Sequence, residues 1–280
     1  MPGDDQTTKG SLPLFDHRFD APSAFSPKAL VEAVRVGRNL QAEPIPQVCV
    51  LEFDGDLTDW LVSTGAAKAC QSWACFHTTM FSLEVDGVTC GIVPRTIGGP
   101  YAVLVAEQMA VSGARVVLGL TSAGRVTPTM PVPGLVAVAE AVRDEGTSYH
   151  YLPPTETVAA PPEVVRPLEL ELRKMSLPVV TGTVWTTDAP YRETDSQLAV
   201  HARNGVLAVE MQAASLFAFS QAQHFPVGVV AYVTNGAGQT GDSFDKGSRL
   251  LEFEILKSVC QAGIRFVSSY CDETAPVSPE

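Results

Sequence analysis

The chain has 280 residues, of which 45% are apolar and 18% charged, a composition that supports a sizeable buried core. Its 19 basic and 31 acidic residues give a formal net charge of −12. This charge argues against a nucleic-acid-binding protein, because such proteins normally present a basic face to the phosphate backbone. No stretch approaches the roughly 18 apolar residues that a membrane span needs, and the polar start MPGDDQTTKG lacks the apolar core of a signal peptide. We therefore expect a cytoplasmic protein that binds neither nucleic acid nor membrane.

The first 45 residues are expected to form an N-terminal arm and one helix, ahead of a main domain over residues 46–267 and a polar tail over 268–280. Ser26 can cap that helix and Pro27 suits its first turn, so we predict a helix from this point to about Asn39. The six cysteines have no C-x-x-C spacing and are expected to be free thiols. No residues have metal-ligand spacing, so we expect no metal.

From Val48 onward, apolar runs of strand length alternate with stretches of helical periodicity. The predicted strands are Val48–Phe53, Ser82–Val85, Val88–Val93, Arg115–Leu120, Leu135–Ala141, Val179–Trp185 and Val227–Val233. The predicted helices are Ala102–Ser112, Glu163–Met175, Val209–Gln223 and Asp242–Ala262. This alternation predicts an α/β protein with three layers, αβα, around a central mixed sheet.

Ligands of such sheets bind beyond the carboxyl ends of the strands. This rule brings four segments to one rim: Asp54–Asp56, Thr96–Pro100, Thr121–Gly124 and Asn235–Gly241. The turn at Gly98 and Gly99 can present backbone N–H groups to an anion or a hydroxyl. Ser122 can donate to an oxyanion or merely cap a turn.

Two further segments carry groups that suit a nucleoside. Thr187, Tyr191 and Arg192 follow a predicted strand and can stack on and hydrogen-bond a planar base, although a solvated polar loop is an alternative. Glu210 stands at the head of a predicted apolar helix, where a carboxylate is costly unless it has a partner. A sugar diol would be such a partner, and the alternative is a Glu favoured by the helix dipole. We expect Glu210→Ala to abolish sugar binding and leave the fold intact.

The order of these motifs resembles the nucleoside phosphorylase family, which includes uridine phosphorylase, hexameric purine nucleoside phosphorylase and methylthioadenosine/adenosylhomocysteine nucleosidase. The resemblance covers about Val48 to Gln261 and rests on the segments Gly98–Pro100, Thr121–Gly124, Thr187–Ala189 with Tyr191, Val209–Met211 and Ala213-Ala214. It implies a nucleoside phosphorylase-like fold and action at an N-glycosidic bond. It also implies no cofactor beyond phosphate as a co-substrate, and a homo-oligomer, either a dimer or a hexamer.

The resemblance implies a phosphate site, from which this chain departs. Gly55 and Asp56 match the family's phosphate-binding turn, and Ser122 and Gly124 match its second loop. The family's two phosphate-binding arginines are missing, because Asp59 and Gly119 stand in their places. Replacement charge can come from Arg95 or Arg125, or from Arg18 or Arg38 of a neighbouring subunit.

The implied sugar contacts are only partly kept. Glu210 and Met211 match, but Gln212 replaces a Glu that grips the ribose. An N-terminal His often reaches the ribose 5′-hydroxyl from a partner subunit in this family, a role that His17 can take. His150 lies in a segment that resembles the family's loop over the site.

The implied base contacts also differ. Asn235 stands where purine-specific members have an Asp that protonates the base; Asn can donate a hydrogen bond but cannot transfer a proton. This favours a pyrimidine-like or unusual base. Pro190 stands where the family has its aromatic stacking residue, with Tyr191 adjacent.

Three functions follow from these residues. The first is a pentosyltransferase that converts a nucleoside and phosphate into a sugar 1-phosphate and a free base, with Asp56, Glu210 and Asn235 as catalytic candidates. The second is a nucleosidase in which Asp54 or Asp56 activates water. The third is a non-catalytic member that binds a nucleoside, which the Gln212 change keeps open. All three require the loops at 96–100, 121–124, 186–192 and 209–212 to converge around one cavity.

Overall fold

The computed structural model describes residues 12–237 and 246–273. In these ranges the α-helices are α1 (Pro27–Arg38), α2 (Asp56–Ser63), α3 (Gly99–Ser112), α4 (Pro162–Leu172), α5 (Asp195–Arg203), α6 (Ala213–Gln223) and α7 (Arg249–Glu273). The strands are β1 (Val48–Glu52), β2 (Ala67–Ala69), β3 (Phe81–Val85), β4 (Val88–Pro94), β5 (Val116–Arg125), β6 (Gly134–Asp144), β7 (Thr157–Ala159), β8 (Val179–Thr187), β9 (Ala208–Glu210) and β10 (Val227–Gly236). Short 3₁₀ turns lie at Pro13–Phe15, Thr147–His150 and Pro190–Arg192.

These strands form one mixed sheet in the order β10-β6-β8-β9-β5-β1-β4-β3-β2, with β7 beside β6. Strand β10 also pairs with β5, so that β5, β9, β8, β6 and β10 close into a ring. Pairs such as β1–β5 and β6–β8 are parallel, whereas β10–β6 and β5–β9 are antiparallel. The mixed sheet is therefore confirmed, and part of it is curved into a barrel.

Helices cover both faces of the sheet, as β1 illustrates. Its residues are all buried, which is typical of a strand covered on both sides. Cys49 and Leu51 pack into one core with α3 and α6, and Val48 and Val50 pack into a second core with α4 and α7. The predicted three-layer α/β fold is thus confirmed.

Two features of local sequence take the structure that their residue types favour. The Ser26 hydroxyl caps α1 by accepting from the Ala29 N–H at 3.2 Å, and Asn39 ends the helix in the left-handed conformation. Asp86 and Gly87 take positive φ angles of 52° and 77° between β3 and β4, as an Asp-Gly turn between two antiparallel strands requires.

Two predicted segments are wrong. The run Val209–Gln223 is not one helix: β9 ends at Glu210 and α6 begins at Ala213, because Val209 pairs with Gly124 of β5. The predicted loop Thr121–Gly124 is a continuation of β5, held by β10 and β9.

The C-terminal part of the chain also differs from the prediction. Helix α7 is described from Arg249 and continues to Glu273, past the expected start of the tail at Ser268. Residues 238–241 of the predicted rim and 242–245 of the predicted final helix lie outside the described residues. None of the helices in the two described ranges combines the length and apolarity that crossing a membrane requires.

Candidate active site

A cleft of about 580 Å³ opens where β5, β9 and β10 end, a size that suits a small organic ligand. Six residues singled out from the sequence line it: Ser122, Gly124, Tyr191, Glu210, Met211 and Asn235. Five neighbours of these residues complete its wall, together with Asp195 and Leu198, which sequence reasoning missed; the five are Ala123, Pro190, Glu193, Val209 and Ala237. Segments far apart in the chain therefore meet at one concave surface.

Glu210 is only 4% exposed, and its carboxylate is bound by the chain itself. It accepts hydrogen bonds from the Thr186 hydroxyl and from the backbone N–H groups of Gln212, at 2.7 Å, and Ala213, at 2.8 Å. Burial outweighs these bonds and raises the pKa of Glu210 to about 7. Glu210 thus joins the end of β9 to the start of α6 while it contributes to the cleft wall.

Gln212, the replacement for the expected ribose ligand, is turned inward. Its side chain is buried, and its carbonyl oxygen accepts from the Met211 N–H at 3.2 Å. Gln212 is not among the cleft-lining residues, whereas Met211 is. The structure therefore separates these two predicted sugar contacts.

Both donors of Ser122 are directed at Asp54. The backbone N–H of Ser122 lies 3.2 Å and its hydroxyl 3.0 Å from the two carboxylate oxygens of Asp54. Lys246 lies 3.1 Å from the same carboxylate, with its own side chain 14% exposed. A carboxylate of the protein thus binds the donors that the sequence assigned to an incoming anion.

Asp56, the other acidic candidate, contacts two cations and not Ser122. It is paired with Lys246 at 3.4 Å and with Arg249 at 3.2 Å. Burial acts in the opposite direction, but Lys246 and then Arg249 lower the pKa of Asp56 below its ordinary value. Asp56 does not line the cleft.

A small cavity adjoins the cleft, and Ser122 lines both of them. Its volume is about 20 Å³, enough for one water molecule. Polar groups of Glu52, Asp54, Thr121, Ser122 and Lys246 surround it. Glu52 accepts hydrogen bonds from the Gly55 N–H at 2.8 Å and the Thr58 hydroxyl at 2.9 Å, and burial raises its pKa to about 7.

Two candidates for replacement charge, Arg95 and Arg125 of the same chain, do not line the cleft, whereas a contribution of Arg18 or Arg38 from a neighbouring subunit stays a prediction. Arg95 donates to Asp59 with both ends of its guanidinium, one of them at 3.0 Å, and its side chain is half-exposed against Gly55. Gly119 lies in the core beside Phe53. In residues 12–237 and 246–273, no Lys or Arg lines the cleft, so Arg125 does not line it either.

Two predicted base contacts also lie outside the cleft wall. Thr187 is buried, with its hydroxyl accepting from the Ala189 N–H at 3.2 Å. Arg192 is exposed and does not line the cleft. Tyr191, between Pro190 and Arg192, does line it and is fully exposed.

The segment 96–100 belongs to a different depression, of about 410 Å³, lined by residues that include Pro100, Glu107, His150 and Asp188. Gly98 opens α3 with a φ of 89°, and Gly99 packs so closely on Ser215 that a Cβ there would stand 2.1 Å from its hydroxyl oxygen. The expectation of a single cavity for all four loops is therefore wrong for this segment.

His150 lines this depression, and His17 of the same chain lies beside it. Their ring centroids are 4.3 Å apart. Burial, and then the neighbouring His17, lower the pKa of His150. Delivery of His17 to a partner subunit's site stays a prediction. In the described part of the chain, no group of three or more His, Cys, Asp or Glu side chains is arranged to hold a metal ion.

Comparison with known proteins identifies one family. Residues 55–264 match the model of the phosphorylase superfamily. A guanosine phosphorylase of Halorubrum lacusprofundi is 27% identical over 152 residues, which cover 53% of this chain and 61% of the relative. The chain thus spans less than two thirds of that relative's length.

Two uridine phosphorylases are matched over longer stretches. The protein of Escherichia coli K12 is 23% identical over 203 residues, 68% of this chain and 80% of the relative. The protein of Thermococcus kodakarensis is 26% identical over 196 residues, 64% of this chain and 70% of the relative.

Proposed function

The chain belongs to the phosphorylase superfamily, and we propose that it cleaves the N-glycosidic bond of a nucleoside with water as the attacking group. The main support for this proposal is the pair of hydrogen bonds that Asp54 accepts from the N–H and the hydroxyl of Ser122. A phosphate dianion needs cations and free N–H or O–H donors beside the anomeric carbon. Here those donors bind a carboxylate of the chain, and no Lys or Arg of the described residues lines the cleft. A neutral nucleoside and water fit this site better than a second anion.

Asp54 and Ser122 form the proposed activating pair. A water held at the Ser122 hydroxyl gives its proton to that oxygen as Ser122 passes its own proton to Asp54, so a hydroxide equivalent adds to the anomeric carbon. Lys246 forms an ion pair with the Asp54 carboxylate at 3.1 Å and so belongs to the same cluster. Met211 lies against the sugar, and the base extends toward Tyr191 and Asn235.

Phosphorolysis is the second candidate, because the relatives are named as phosphorylases and two cations, Lys246 and Arg249, lie beside Asp54 and Asp56. For phosphate to bind at Ser122, Asp54 would have to leave the serine's N–H and hydroxyl. The two candidates therefore differ in whether Asp54 stays in place during catalysis.

The test is the rate of base release from a panel of purine and pyrimidine nucleosides, with and without phosphate. Hydrolysis predicts cleavage in phosphate-free buffer and no acceleration when phosphate is added. Cleavage that depends on phosphate would contradict the proposal and support phosphorolysis. The absence of cleavage together with a nucleoside-induced rise in melting temperature would also contradict it, and would indicate a non-catalytic binding protein.

A further inference from the structure

We propose that Glu193 is the acid that protonates the leaving base, an inference that rests on the proposed cleavage of a nucleoside. Glu193 follows the 3₁₀ turn Pro190–Arg192 and lines the same cleft as Ser122 and Asn235. The base-side wall of the cleft is built by this segment and by the end of β10. A carboxylic acid in this wall can contact the base directly.

The reaction needs such an acid because a base that leaves without a proton departs as an anion. Asn235, at the position where the family resemblance places a proton-donating Asp, has only an amide. Its side-chain N–H donates to the Gly236 carbonyl oxygen at 3.2 Å, and its carbonyl oxygen accepts from the Thr234 hydroxyl. Asn235 can therefore orient the base but cannot give it a proton.

Four titratable side chains line the cleft in the described part of the chain: Tyr191, Glu193, Asp195 and Glu210. Tyr191 is fully exposed and Asp195 is exposed, so neither is shielded from water. Glu210 has its oxygens bound by Thr186 and by the start of α6.

Glu193 differs from these three residues. It is half-buried, and no hydrogen-bond or ion-pair partner of its carboxyl is found among residues 12–237 and 246–273. Burial raises its pKa above the ordinary value, so it holds a proton to higher pH than an exposed Glu does. A shielded, unpartnered carboxyl with a raised pKa is the form that carboxylic acids take when they act as proton donors in enzymes.

The proposed step balances with the hydrolysis described above. The bond between C1′ and the base nitrogen breaks, and its electron pair stays with the base. Glu193 gives its proton to the base, which leaves neutral, while the oxygen of water bonds to C1′ and a water proton passes through Ser122 to Asp54. Exchange with solvent then returns a proton to Glu193 and removes one from Asp54.

The test compares Glu193→Gln on two nucleosides. Guanosine must receive a proton as its base leaves, whereas 7-methylguanosine carries a positive charge on its base and releases it neutral without one. Glu193→Gln should lower the turnover of guanosine by about 100-fold or more, the usual contribution of a general acid, and leave the turnover of 7-methylguanosine unchanged. The control Glu156→Gln makes the same change at an exposed side chain outside the cleft and should change neither rate.

A pH profile gives a second readout. Wild-type turnover of guanosine should fall at high pH as Glu193 loses its proton, and this fall should be absent for 7-methylguanosine. Equal losses on both substrates in Glu193→Gln would indicate a structural role and overturn the inference, as would no loss on guanosine. Wild-type cleavage of no nucleoside in the purine and pyrimidine panel, with or without phosphate, would instead overturn the proposed function, and the Glu193 inference with it. If cleavage needs phosphate, the same comparison is run with phosphate present.

Discussion

The ring of Phe53 lies where a side chain on Gly119 would have to be. A Cβ at Gly119 would stand 2.9 Å from the Cε2 atom of Phe53 and 3.2 Å from a methyl of Val229. Gly119 is the position at which the family resemblance places a phosphate-binding Arg. The core itself therefore excludes that Arg, because the buried side chains of Phe53 and Val229 occupy the space that it would need.

This packing predicts that Gly119→Ala destabilises the protein by about 1–3 kcal/mol, the usual cost of an overpacked core. Gly37 is the matched control, because it lies in α1 with no atom within 4 Å of a Cβ placed there. Gly37→Ala should raise stability by about 0.5–1 kcal/mol through helix propensity alone. Urea unfolding measures both, and equal stability of the two variants would contradict the assigned role of Phe53.

Asp54 and Asp56 should respond differently to the same chemical change. Asp54→Asn keeps a polar side chain of the same shape beside Ser122 but cannot accept the water proton, so turnover should fall by about 100-fold or more. Asp56→Asn should leave turnover nearly unchanged, since Asp56 contacts Lys246 and Arg249 instead of Ser122. Initial rates of base release measure this. Equal losses in the two variants would show that the shared Lys246 network, and not Asp54, supports activity.

Glu52 and Glu210 make stability depend on pH. Burial raises their pKa values from 4.5 to about 7, so between these two values the folded protein holds protons that the unfolded chain has lost. The free energy of unfolding should therefore fall as pH rises from about 4.5 to about 7, at up to about 1.4 kcal/mol per pH unit for each group. Denaturation midpoints across this range should show the slope, and Glu52→Gln and Glu210→Gln should each reduce it. A slope that neither variant changes would contradict the raised pKa values.

Glu210→Ala should unfold the protein more easily, which corrects the expectation from sequence that the fold would stay intact. The change leaves the Thr186 hydroxyl and the N–H groups of Gln212 and Ala213 without their acceptor. Each buried donor left unpaired costs about 1–3 kcal/mol. Urea unfolding of Glu210→Ala against Glu210→Gln, which keeps an acceptor oxygen, measures the loss. Wild-type stability of Glu210→Ala would mean that these bonds contribute nothing.

Much of the fold can be predicted from local sequence. The Ser26 cap, the Asp86-Gly87 hairpin and the buried runs of β1 and β10 depend on neighbouring residues, and the family resemblance drawn from ordered motifs is confirmed by the match over residues 55–264. Strand β9 cannot be predicted in this way. The apolar residues around Val209 also suit a helix, and only their pairing with Gly124 makes them a strand. Helix α5 was missed because it buries no residue and so carries no apolar face.

Some residues of the candidate site can likewise be predicted from the sequence, and others depend on the fold. Ser122 and Asn235 follow predicted strands and Met211 belongs to a motif of the family, and the cleft contains all three. The bond between Asp54 and Ser122 depends on two strands lying side by side, and composition gives no signal for it. Glu193 is the last residue of the polar segment that begins at Trp185, but the sequence gives it no role, because its half-buried position in the cleft wall depends on the fold.

The attacking group is identified most directly by ³¹P NMR of a reaction with a nucleoside that the enzyme cleaves, run at saturating phosphate. With Asp54 in place on Ser122, the phosphate signal should stay unchanged while free sugar and free base accumulate in equal amounts. A new sugar 1-phosphate resonance that grows in step with the released base would contradict the account and would mean that phosphate displaces Asp54.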